Sequence, residues 1–181
     1  MVENSPFARP VRVESIPRDG LDQAIEASEA ERAALARRDG LPAIGRLAAK
    51  FSLSRLGRGI VRVRGEVHAE ATQTCVVSLE PFDVTLDEPV DVRFAGPAGE
   101  GARRSAPPAA AAEAVALAMD QEDAPDPIVD GQIDLGALAA EFMLLGLDPY
   151  PRKPGVEFAP AAEPDARQTP LAGLADRPKD D

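Results

Sequence analysis

The chain has 181 residues, 31 acidic and 20 basic side chains and a formal charge of −11. That length supports one domain with appendages, and an aromatic content of 4% leaves Val, Leu, Ile and Ala to fill the core. One Cys excludes an internal disulfide and, with one His, the usual structural zinc set, while a pI near 4.6 argues against coating RNA with the whole surface. Residues 7–16 alternate weakly and read as a short strand, with Pro10 placing it at an edge. Ser28-Glu-Ala-Glu31 has capping-box spacing ahead of a helix-favouring run that Gly40 and Pro42 stop, which predicts a helix of about three turns.

From Leu47 the period becomes two. Leu47, Ala49, Phe51 and Leu53 share a face, and Arg55-Leu-Gly-Arg-Gly59 reads as a turn. Val61 to Leu79 then alternates, its odd positions apolar apart from Gly65 and Gln73. Twenty extended residues would span roughly 65 Å, so a bend or bulge near Gly65 or Gln73 is expected. Glu80-Pro81 turns the chain, and Phe82, Val84, Leu86, Val90, Val92 and Phe94 continue in even register, with Pro89 marking an edge or a bulge. The expected fold class is α+β: a curved antiparallel meander or partly open barrel, covered by an N-terminal helix.

Residues 97–130 lack a sustained apolar period and read as an acidic flexible linker, in which Ala109–Met119 has helical character. Asp134 caps a second, largely apolar helix that Gly146 and Pro149 end. Such a helix is either buried or a docking element, with Leu135, Leu138, Phe142 and Leu145 as the residues it would present. The expected organisation is a core over 7–96, the linker, a segment over 131–156 belonging to the same domain, and a disordered tail over 157–181. No basic leader ahead of an apolar run opens the chain, and no apolar run approaches the roughly 18 residues of a membrane helix. The expectation is a soluble, cytoplasmic protein without membrane contact.

Catalytic readings are weak. Cys75 sits on an apolar face with no adjacent His or Lys, and reads as a small buried hydrophobe. His68 lies between Glu66 and Glu70 on a polar strand face. Asp83, Asp87, Glu88 and Asp91 read as a polar strand face and a turn rather than a converging acid pair. Gly57-Arg-Gly begins a dinucleotide fingerprint and lacks its third glycine. No enzyme, cofactor or metal is expected. The best binding feature is basic: residues 40–65 contain no acid but hold Arg46, Lys50, Arg55, Arg58, Arg62 and Arg64. Its plain reading is a solvated hairpin face; its functional reading is a contact to phosphate or to an acidic segment.

The runs "RPVRV", "SEAERAALARRDGL", "VRGEVHAEATQTCVVSLEPF", "VDVRF" and "DGQIDLGALAAEFMLLGLDPYPRKPG" together resemble the YceD-like family, the large ribosomal RNA accumulation proteins. The resemblance covers roughly residues 7–155 without the linker. It implies a small non-enzymatic protein needed for the accumulation, processing or stability of large-subunit ribosomal RNA, and it singles out Cys75, Leu79, Glu80 and Pro81. Many members carry Cys-x-x-Cys where this chain has Cys75-Val-Val-Ser78, and some carry further cysteines near the C-terminus, where this chain reads Asp148-Pro-Tyr-Pro-Arg-Lys-Pro-Gly155. A metal or redox role for such cysteines is therefore not expected here.

Three functions remain in contention. The first is a biogenesis factor that binds a basic ribosomal protein or large-subunit assembly factor through its acidity. The second is direct contact with ribosomal RNA through Arg55, Arg58, Arg62 and Arg64. The third is a curved-sheet module for an apolar small molecule, or an unrecognised hydrolase, which would need a deep cavity with converging carboxylates.

Overall fold

A computed structural model describes residues 5–57, 59–96 and 125–157. Its elements are β1 (Pro10–Arg12), a 3-10 turn (Val13–Ser15), β2 (Leu21–Glu26), α1 (Glu29–Asp39), β3 (Ala43–Gly57), β4 (Ile60–Thr74), β5 (Pro81–Ala95), β6 (Asp126–Pro127), β7 (Gln132–Asp134) and α2 (Leu135–Gly146). The fold is α+β. Five strands form an open sheet in the order β2-β3-β4-β5-β6, antiparallel except for the short parallel β5–β6 pairing. The sheet does not close, so the barrel alternative is set aside.

Three 15-residue strands form the body of the sheet. Their period-two sequence explains them: from Leu47 to Leu53 on β3 and from Val61 to Gln73 on β4 the odd positions turn to the core, with Leu47, Leu53, Val61, Val63 and Val67 buried, while the even positions face outward. No bulge interrupts the β4–β5 register at Gly65 or Gln73. The irregularities lie instead on β3, between Ile44 and Arg46 and between Arg55 and Gly57. Pro89 stays in register opposite Glu66, because among the described residues β5 has no outer neighbour there that needs its N–H. The alternation that reads as one strand through Leu79 ends at Thr74, and residues 75–80 form a turn.

The apolar face is covered by both helices. α1 lies along β3 and buries Leu35 and Ala36; α2 crosses β3, β4 and β5 and buries Leu135, Leu138, Ala139, Ala140 and Met143. β1 and β7 pair antiparallel, which ties the start of the chain to the entry of α2. There Asp134 caps α2, its Oδ1 accepting from the backbone N–H of Gly136 (3.0 Å), Ala137 (3.1 Å) and Arg9 (2.7 Å). Residues 125–130, assigned to the linker from sequence, include β6 on the edge of β5. The body of the linker, the Ala109–Met119 segment and the tail beyond Glu157 lie outside the described residues. No helix among the described residues is long and apolar enough to cross a membrane.

α1 carries the capping box its sequence spells: Ser28 Oγ accepts from Glu31 N–H, and Glu31 Oε2 accepts from Ser28 N–H. Arg9 also donates to both Glu31 oxygens, at 2.8 and 3.1 Å. The Arg9 guanidinium first, then the Ser28 amide, hold the Glu31 carboxyl at about 2, down from 4.5. A depressed acid stabilises fully above its unfolded pKa and loses that contribution as pH falls through the folded one. Glu31→Gln is therefore expected to cost about 1 kcal/mol at pH 7. Urea unfolding at pH 7, 3.5 and 2 checks this: the gap between wild type and variant should narrow between pH 4.5 and 2, and a constant gap would contradict it.

Candidate interaction face

The face of the sheet away from the helices is lined in cross-strand rows. Ser54, Arg62 and Arg93 form one row; Asp22, Ser52, Arg64 and Asp91 the next; then Ala24, Lys50, Glu66 and Pro89; then Glu26, Ala48, His68 and Asp87. Arg46 and Glu70 face Thr85 beyond these, and Thr72 faces Asp83. The end near the β3–β4 turn is thus basic, and the opposite end holds Glu66, Glu70, Asp83 and Asp87. Small side chains at Ala24, Ala48 and Ser52 leave two shallow hollows of about 540 and 510 Å³ that share Ala24 and Lys50 in their walls. Neither is a deep cavity with converging acids.

The arginines expected to act together do not share one surface. Arg62 forks onto Asp91, Nε to Oδ1 at 2.7 Å and Nη2 to Oδ2 at 2.6 Å, and Arg64 Nε reaches the same Oδ2 at 3.3 Å. Arg62 first, then Arg64, hold the Asp91 carboxyl down at about 2. Arg55 has the opposite parity, so it leaves this face and donates to the carbonyls of Val13 and Glu14. Arg58 lies outside the described residues. His68 Nδ1 lies 2.6 Å from Asp87 Oδ1, and that bond first of all raises the imidazole above 6.5. Asp87 and Asp91 carry much of this arrangement, and their role was hidden in the sequence. The signal was there in the odd-register acids of β5, Asp83, Asp87 and Asp91, but matching them to β4 needs the length of the intervening turn.

The Cys75–Pro81 stretch joins β4 to β5 at the acidic end. Cys75 is buried, and its Sγ accepts from the N–H of Val77 and Ser78, both at 3.4 Å. The Ser78 hydroxyl first, then the amides of Ser78, Lys153 and Val77, bring its thiol down to about 6. The turn closes through Cys75 N–H to Glu80 O and Leu79 N–H to Cys75 O, both 2.9 Å. A C-terminal strap fastens it: Val76 N–H donates to Pro151 O, Gln73 Nε2 donates to Asp148 O, and Lys153 Nζ pairs with Glu80 at 2.8 Å. Among the described residues no three His, Cys, Asp or Glu side chains gather as a metal set. With Ser78 in the second position, Cys75 has no partner sulfur, so the residues present do not fit a zinc site. Leu79 is the strained member, at φ 60° and 76% exposed.

The docking-helix expectation needs correction. Leu135 and Leu138 are core residues, because the sheet's apolar face has to be covered and α2 is what covers it. Phe142 is half-buried against the same core, and only Leu145, at 71% exposed, faces outward.

A family model, "Large ribosomal RNA subunit accumulation protein YceD", matches residues 63–176. The chain belongs to the YceD family. The match begins on β4 just after Arg62 and takes in Arg64 and Asp91, the Cys75 turn, β5 and α2. No curated protein and no solved structure matches this YceD-family chain. The family supports a role in large-subunit ribosomal RNA accumulation.

Proposed function

We propose that this YceD-family protein is a non-enzymatic factor of large-subunit biogenesis that binds a basic ribosomal protein or assembly factor, and that RNA accumulation follows from that contact. The observation that carries this reading is how the arginines are used. Arg62 and Arg64 are held on Asp91 and Arg55 on backbone carbonyls, while at the other end of the open face Glu66, Glu70, Asp83 and Asp87 outnumber Arg46, Lys50 and the His68 that rests on Asp87. A surface so divided attracts a basic partner to its acidic end and fixes its orientation through the basic one. The two hollows on this face are shallow, which supports contact with a macromolecular surface there.

Affinity capture with and without ribonuclease, read by mass spectrometry, tests the reading. A basic large-subunit protein or assembly factor retained after ribonuclease is the expected result. Recovery that disappears with ribonuclease would favour direct RNA contact instead, a reading for which the cluster of Lys50, Arg62 and Arg64 is the specific support. In that case Arg64→Ala should lower the salt slope of RNA binding by about 1. No ribosomal material in either lane would remove both.

A further inference from the structure

We propose that the outer edge of β5 between Phe82 and Val92 is a docking strand for an extended segment of a basic protein in which basic and apolar residues alternate. β6 pairs only with Phe94 and Ala95, so the rest of this 15-residue strand has no outer neighbour among the described residues. Its peptide groups on that side form an open template, interrupted at Pro89, which has no N–H to offer.

Both faces of the edge say what fits. On the helix-covered face, Phe82, Val84 and Leu86 lie directly opposite Gln73, Ala71 and Ala69 of β4. The three β4 residues are buried, at 6%, 2% and 0% exposed, but their β5 partners are only half-buried. What the β5 side chains lack, among the described residues, is a neighbour on the outer side. A strand added about 4.8 Å away would bring apolar side chains onto them. On the open face the same strand would meet Asp83 and Asp87; of the other two acids of residues 81–92, Asp91 is held by Arg62 and Arg64 and Glu88 has the opposite parity, and the segment holds no base. Alternation of side chains along a strand therefore calls for apolar residues at one parity and Lys or Arg at the other.

Charge also excludes the other occupants. A second copy paired edge to edge would set carboxylates against carboxylates, and residues 97–124 and 158–181 of this chain each carry more acids than bases. A basic strand is the class the edge accepts. This inference rests on the reading of a basic protein partner, and it names where and how that partner binds.

The test is amide exchange by NMR on the full chain, with and without a ten-residue peptide of alternating Lys and Val. Alternate amides within residues 82–92 are expected to slow at least about tenfold on binding, and a Glu–Val peptide should leave them unchanged. The exposed double variant Asp83→Asn/Asp87→Asn should bind the Lys–Val peptide about tenfold more weakly. Edge amides already protected in the free chain, a dimer in sedimentation, or peptide protection elsewhere would overturn the proposal. If a basic large-subunit protein is captured equally well by wild type and the Asn pair, the edge is wrong and the partner reading stands. If no ribosomal partner is captured while the peptide still protects the edge, the partner reading falls and the strand-docking property remains.

Discussion

Gly65→Ala is expected to remove about 3 kcal/mol of stability, a large share of the roughly 5–15 kcal/mol that holds a domain of this kind together. Gly65 lies in β4 opposite Phe51. A Cβ there would stand 2.0 Å from the Lys50 carbonyl oxygen and 2.8 Å from Phe51 Cδ1. The first obstacle is backbone, so no side-chain rotation relieves it; β3 and β4 must move apart and strain or lose ladder hydrogen bonds. Gly45→Ala is the control in the same sheet. Its Cβ would find nothing nearer than 3.6 Å, so its effect should stay within about 0.5 kcal/mol. Urea midpoints of the two variants decide the matter: equal midpoints would mean that β3 and β4 do not approach so closely at Gly65.

Leu135→Ala is expected to cost about 3 kcal/mol, in the range for a fully buried leucine, while Leu145→Ala should change stability by less than about 0.5 kcal/mol. Leu135 is completely enclosed at the start of α2, and Leu145 is 71% exposed at its end. The contrast separates a helix that completes the core from one that waits for a partner. A detached docking helix would make both substitutions nearly silent in the isolated protein. Thermal or urea unfolding of the purified variants gives the answer, and a silent Leu135→Ala would contradict the packing of α2 on the sheet.

What the chain alone determined was local. Alternation from Leu47 onward required strands with one apolar face, and the Ser28–Glu31 spacing required a helix start, because a period of two and a capping box are properties of neighbouring residues. The family was legible for the same reason, in contiguous runs such as Thr74–Pro81. β2 went unread, since Leu21–Glu26 alternates weakly and becomes a strand only by pairing with β3. Parity put Arg62 and Arg64 on one face, yet it could neither part them from Arg55, read as a turn residue, nor bring Asp91 to them across 29 and 27 residues. The tertiary structure decided that pairing, the burial of α2 that turned Leu135 and Leu138 from docking residues into core, and the half-covered Phe82, Val84 and Leu86 that leave the edge of β5 open. Each depends on which strand lies beside which, and that is settled by contacts between residues far apart in the chain, where spacing carries no information.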